Sequence, residues 1–177
     1  MFSATFPPYV LRLAGDFLVD PVTLSLSSDT VHVTDIEHVR YDVDRMNKER
    51  TLVSIIEMAN PDNAIIFCNS RMRVNYVKTV LERYGYDVDK LSGDLQQRAR
   101  ERVLKRIREG SLRLLVATDV AARGIDIPNL SHVIQYEVPE DIEAYVHRAG
   151  RTGRAGASGT AIILVEMMDT LRMGKVL

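Results

Sequence analysis

Apolar positions along this chain follow two rhythms, and the change falls near residue 36. Upstream, residues 8–17 set Val10, Leu11, Leu13, Ala14 and Phe17 at helical spacing. Pro7-Pro8 stands at the start of that stretch, where a missing N–H would be unpaired anyway. Asp20-Pro21 closes the unit, residues 22–26 alternate like a strand, and residues 25–35 are polar like a linker.

From Ile36 onward, strand-like and helix-like segments take turns. Residues 36–43 alternate, and Asp44 is placed to cap a helix to about residue 59, with Leu52, Val53, Ile56 and Ala59 on one face. Residues 64–68 are continuously apolar, as in a strand covered on both faces. Val74, Val77, Val80, Leu81 and Tyr84 form the stripe of the next helix, which Gly85 stops. Strands are predicted at 86–91, 112–117, 133–136 and 160–165. A helix over 96–109 ends at Gly110, and another runs through Ala144, Tyr145 and Ala149. This rhythm predicts an α/β domain: an open, mostly parallel sheet with helices on both faces.

Composition narrows the field little. Hydrophobic residues make up 46% and charged residues 27%, which is ordinary globular usage. Basic residues number 23 against 24 acidic, so no global field draws a polyanion, and such binding must come from local patches. The single cysteine, Cys68, excludes a disulfide framework and a cysteine zinc site, and its apolar neighbours predict a buried thiol. No metal site is expected. No apolar stretch approaches the length of a membrane span, so the default expectation is a reducing, cytoplasmic setting.

In open α/β sheets, ligands sit at the carboxyl ends of the strands. Polar clusters follow three of the predicted strands. Asn69-Ser70-Arg71 follows the first, and Ser70 suits a helix cap. Ser92-Gly93-Asp94 with Gln97 and Arg100 follows the second. Asp94 and Gln97 stand three apart, like a capping box, which is a sufficient structural reason for both. The helix behind them is basic. For Lys105 to Arg108 a solvated face and a phosphate contact are equally good readings. Thr118-Asp119, with Arg123, Gly124 and Asp126 beyond, follows the third strand. Thr118 suits a cap beside a phosphate, and Asp119 a second capping carboxylate. Arg123 suits a surface ion pair, and Asp126 a ribose acceptor. Finally, residues 147–156 interleave Arg148, Arg151 and Arg154 with Gly150, Gly153 and Gly156. Glycine at this density suits neither helix nor strand interior, and arginine presents a planar fork that matches a phosphate.

The last motif, His147-Arg148-x-Gly150-Arg151-x-Gly153-Arg154, resembles the sixth motif of DEAD-box RNA helicases, in their second RecA-like domain. Residues 118–128 are similar to the fifth motif, Gln97-x-x-Arg100 to a motif implicated in RNA binding, residues 64–71 to the fourth, and Ser3-Ala4-Thr5 to the third. The family usually has Asp where Glu137 stands, so no role is carried over there.

The resemblance implies a RecA-like helicase C-terminal domain over 31–177, with residues 1–30 as the tail of the first helicase domain. It implies RNA contacts by Arg71, Gly93, Gln97, Arg100, Thr118 and Asp119. It implies an ATP ribose contact by Asp126, ordering of the site by Arg123, and arginine fingers at Arg151 and Arg154. His147 would couple to the other domain, while Arg148 would be structural or regulatory. ATP with Mg²⁺ would be held mainly by an N-terminal RecA-like domain, because neither a Gly-x-x-x-x-Gly-Lys-Ser/Thr loop nor an Asp-Glu-Ala-Asp run occurs in the chain. The expectation is therefore an inactive half of an ATPase, with its orphaned N-terminal residues open to pairing with a second copy. A non-catalytic RNA-binding module and a DNA-directed superfamily 2 helicase domain stand as alternatives.

Overall fold

The computed structural model describes residues 8–20, 22, 36–123, 125, 130–153 and 157–170. The chain divides into two compact units, Met1–His32 and Val33–Leu177. In the first, helix α1 (Pro8–Phe17) forms as its spacing predicts and leaves Leu11, Leu13 and Phe17 exposed. The Ser3-Ala4-Thr5 motif, the alternation at 23–26 and the linker at 25–35 lie outside the described residues.

The second unit alternates strand and helix throughout. Its elements are β1 (Ile36–Val43), α2 (Lys48–Ala59), β2 (Ala64–Phe67), α3 (Arg71–Arg83), β3 (Val88–Leu91) and α4 (Gln97–Arg108). Then follow β4 (Leu114–Ala117), the short α5 (Asp119–Ala122), β5 (His132–Gln135), α6 (Ile142–Ala149), β6 (Gly159–Glu166) and a closing 3₁₀ turn (Met167–Asp169). The six strands make one parallel sheet in the order β1-β6-β5-β2-β4-β3.

Successive side chains of a strand face opposite sides of the sheet. Ile66, Val116, Ile134 and Leu164 therefore pack with Leu52, Ile56, Val77 and Leu81 of α2 and α3. Their neighbours Ile65, Leu115 and Val133 pack with Val103 and Ile107 of α4 and Ala121 of α5. Covering on both faces explains why β2 and β4 are unbroken apolar runs. Gly85 and Gly110 follow α3 and α4 at φ of 84° and 67°, the left-handed turn that ends a helix cheaply only for glycine.

Several local expectations change. Helix α2 begins at Lys48, and Asp44 does not cap it: its carboxylate accepts from the Met46 N–H in a turn, 3.1 Å away. On α2, Ile55 rather than Ala59 joins the buried stripe, and Tyr84 is half exposed beyond the end of α3. Asp94 and Gln97 do not form a capping box. Asp94 accepts from the Ser92 hydroxyl and, at 3.2 Å, from Lys90, while Gln97 donates to Glu101 at 2.9 Å. The Ser92 hydroxyl and the Lys90 ammonium occupy the carboxylate that a capping box would have turned to the helix start.

Candidate functional site

The carboxyl ends of β2, β4 and β5 lie side by side because these strands are neighbours in the sheet. Two residues beyond each strand end, Asn69, Asp119 and Glu137 reach the same point. That point is the guanidinium of Arg148, on the last turn of α6 and only 2% exposed.

Arg148 spends its donors on three loops. Nε and Nη2 meet the two carboxylate oxygens of Asp119 at 2.8 and 2.6 Å. Nη1 donates to the Glu137 carbonyl at 2.8 Å, and Nη2 also to the Asn69 side-chain oxygen at 2.7 Å. The Phe67 ring lies 5.4 Å beneath the guanidinium. A buried guanidinium is tolerable only with its charge matched and its N–H groups occupied. Here the charge is matched and each of the three guanidinium nitrogens has an acceptor, so the loops after β2, β4 and β5 are tied into one surface.

Glu137 adds a second tie. One carboxylate oxygen accepts from the Asn69 backbone N–H at 2.8 Å and the other from Arg73 at 3.3 Å. Asn69 in turn donates to the Val138 carbonyl at 2.9 Å. Ser70 caps α3, accepting from the Arg73 N–H, which leaves Arg71 exposed at the first helical position.

Thr118 caps α5 as expected, its hydroxyl accepting from the Ala121 N–H at 3.4 Å. Arg100 reaches from α4 to the Ala121 carbonyl at 2.7 Å. That contact joins α4, which begins at the exposed Gln97 after the exposed Gly93, to α5 beyond β4. Arg151 donates to the Ile125 carbonyl at 2.9 Å, so it lies against the segment that leads to Asp126. Arg123 and His147 are exposed. Asp126 and Arg154 lie outside the described residues.

The chain after Arg151 is held by Thr152. Its side chain is buried, and its hydroxyl donates to the Leu130 carbonyl and, at 3.2 Å, to that of Ser131. Gly159 makes room for it: a Cβ there would come within 2.0 Å of the Thr152 hydroxyl oxygen and 2.7 Å of the Gly153 nitrogen.

Electrostatics within the cluster run in one direction. Burial pushes the Cys68 thiol well above its ordinary range and raises Tyr136 to about 12. Neither is a nucleophile at neutral pH. Among the described residues no group of His, Cys, Asp or Glu side chains is arranged to hold a metal ion. No described helix is long and apolar enough to cross a membrane.

The structure thus gathers Thr118, Asp119, Arg100 and Arg151 at one edge of the sheet. It gives Asp119 an unexpected task, since both its oxygens face Arg148 rather than open space. Asn69 and Glu137 stood out in the sequence without a role, and Arg73 and Thr152 were not singled out; no local pattern marks the last two as partners of the strand-end loops.

This architecture has many relatives. The helicase conserved C-terminal domain family matches residues 47–156. The chain is 39% identical over 165 residues to the DEAD-box ATP-dependent RNA helicase CshA of Bacillus cereus, covering 93% of this chain and 31% of that protein. It is 43% identical over 169 residues to the RNA helicase CrhR of Synechocystis, covering 95% and 34%. The chain therefore spans about a third of the length of these curated relatives.

Among solved structures it resembles the DEAD-box protein SrmB of E. coli at a TM-score of 0.72 and 43% identity, over 78% of this chain and 81% of that one. It resembles S. cerevisiae Dbp5 at 0.86 and 35% identity, over 97% and 46%. An all-parallel RecA-like sheet, the strand-end loops gathered on Arg148 and these similarities converge: the chain belongs to the helicase conserved C-terminal domain family, in the form carried by DEAD-box RNA helicases.

Proposed function

We propose that this domain is the C-terminal half of an ATP-dependent RNA helicase, working in the cytoplasm. It supplies RNA-backbone contacts and arginine fingers to an ATP site built mainly on an N-terminal RecA-like domain. One observation carries the reading: Arg151 is held against Ile125, beside the loop that Arg148 and Asp119 lock to the strand ends. A guanidinium fixed there is positioned rather than trailing in solvent. Phosphoryl transfer needs positive charge already in place where negative charge develops.

In this reading Arg151 and Arg154 meet the γ-phosphate of ATP with its Mg²⁺, and Asp126 takes the ribose. Arg123 orders the pocket, and His147 couples to the partner domain. The RNA strand runs past Arg71, Gly93, Gln97, Arg100 and Thr118. Gly93 supports that path. A Cβ at Gly93 would meet nothing within 4 Å, so nothing in the protein itself calls for glycine, and bare backbone leaves room for a close ligand. Asp119 acts through Arg148, as a positioning residue for the loop that carries Thr118. The yeast Dbp5 relative was solved bound to RNA and ADP BeF3, which agrees with both ligands.

The test joins this domain to an N-terminal RecA-like helicase domain and measures RNA-stimulated ATP hydrolysis. Arg151→Ala should lower the rate by about 10³–10⁵-fold, the range for removing an arginine finger. The 177 residues alone should hydrolyse no ATP. Undiminished hydrolysis by Arg151→Ala would sink the proposal. RNA binding indifferent to both nucleotide and Arg151 would assign a non-catalytic RNA-binding module instead. Equal stimulation by DNA would assign a DNA-directed helicase.

A further inference from the structure

Helix α4 concentrates the chain's positive charge. Its twelve residues hold six basic side chains and one acid, a net of +5. The whole chain carries −1, so everything outside α4 carries −6. Four of those six cations are not equally available. Arg100 is bound to the Ala121 carbonyl, and Arg106 is held by Asp87 at 2.6 Å and Asp89 at 2.7 Å. Lys105 faces Glu109 at 3.7 Å, but both are exposed, and such pairs hold their partners weakly. Arg108 lies on the flank of the exposed face.

Arg98 and Arg102 are different. Both are exposed, and neither has a carboxylate partner among the described residues. At 3.6 residues per turn, Arg98, Arg102 and Lys105 fall within an arc of about 60°, opposite the buried Val103 and Ile107. Along the axis they span about 10 Å, and neighbours one turn apart sit about 6 Å from each other. The stripe begins at the N-terminus of α4, beside Gly93, and runs away from the strand ends.

We propose that Arg98, Arg102 and Lys105 form a phosphate rail that takes the RNA strand beyond the strand-end site and down the side of the domain. This deepens the proposed function and rests on RNA entering past Gly93. Such a rail reads charge and spacing, not bases, so it lengthens the footprint without adding sequence preference. Its occupant is a phosphodiester strand rather than an acidic protein segment, because the stripe is continuous with the site that this strand already uses. The stripe also offers no apolar anchor on its exposed face of the kind protein interfaces centre on.

The experiment measures fluorescence anisotropy of the 177-residue chain with oligo-uridine of about 8 and about 30 nucleotides, over a range of salt. Arg98→Glu with Arg102→Glu should weaken binding of the longer strand roughly tenfold and flatten its salt slope by about 1.4, two contacts at about 0.7 each. The shorter strand should bind within about twofold of wild type, because it fits the strand-end site alone. Arg98→Gln with Arg102→Gln should move in the same direction by less. A control with the same charge change on the other face, Arg50→Glu with Arg83→Glu, should leave the longer strand within about twofold.

Equal losses for both lengths, an unchanged longer strand, or an equal loss in the control would each overturn the rail. So would poly-glutamate binding to wild type more tightly than RNA, which would assign the stripe to an acidic polypeptide. None of these results touches the Arg151 measurement, so the two proposals fail separately.

Discussion

Arg148 and Asp119 meet fork to fork, with Nε 2.8 Å from one carboxylate oxygen and Nη2 2.6 Å from the other. The guanidinium is buried while the carboxylate keeps some solvent. This pair, 29 residues apart in sequence, ties the last turn of α6 to the residues that follow β4. Planar bidentate pairing of this kind adds geometric specificity to its charge, and lysine does not reproduce it.

Truncating both partners of that pair should cost less than the two single truncations added together. Arg148→Ala strands Asp119, Asn69 and the Glu137 carbonyl and is expected to cost about 3–5 kcal/mol. Asp119→Ala leaves a buried cation and should also be severe. The double variant should cost less than the sum, with a coupling of about 0.5–3 kcal/mol by urea midpoints. Simple additivity would show that the pair is not a unit.

Gly159 and Gly93 should respond oppositely to alanine. At Gly159 the new methyl meets Thr152 and the Gly153 backbone, so Gly159→Ala should destabilise by about 1–3 kcal/mol. At Gly93 it meets open space, and Gly93→Ala should stay within about 0.5 kcal/mol while weakening RNA binding. Paired thermal melts and binding curves check both halves.

Lys48 is 3% exposed, paired with Glu166 at 2.8 Å and 4.9 Å from the centre of the Tyr136 ring. Glu166→Gln removes the charge that compensates it and should cost about 3–5 kcal/mol. Lys48→Met keeps the alkyl stem and removes the charge itself, so it should be milder. The order of the two denaturation midpoints tests this.

Gln135 is fully buried on β5, and neither polar atom of its amide has a hydrogen-bond partner among the described residues. An unpaired buried amide costs roughly 1–3 kcal/mol. Gln135→Met, of similar volume, should therefore raise the urea midpoint; a fall would show that the amide is satisfied in solution.

Asp94 is held down to about 2 by the Ser92 hydroxyl first and Lys90 second. A depressed carboxyl stabilises the fold fully above the unfolded value of about 3.9. That stabilisation fades as pH falls from about 4 through about 2. Asp94→Asn should flatten this part of the acid limb of a stability–pH curve. Because the carboxylate is exposed, added salt should shrink the difference.

The amino-acid sequence alone determined the alternation of strands and helices, the two-sided burial of β2 and β4, and the stops at Gly85 and Gly110. These are local properties: spacing, propensity and short motifs act within a few residues, so each can be read where it stands. The caps show the limit. Ser70 and Thr118 take their expected bonds, but Asp94 turns to Ser92, because several acceptors and donors compete within one turn and geometry chooses among them.

What only the tertiary structure decided is which distant residues meet. The resemblance set Arg148 apart as structural or regulatory but left its partners open; it is buried on Asp119 and on Asn69, 79 residues away, while Arg151 rests on Ile125. Burial of a charge depends on strand order and on how α6 lies across the sheet, and no short window of residues encodes either.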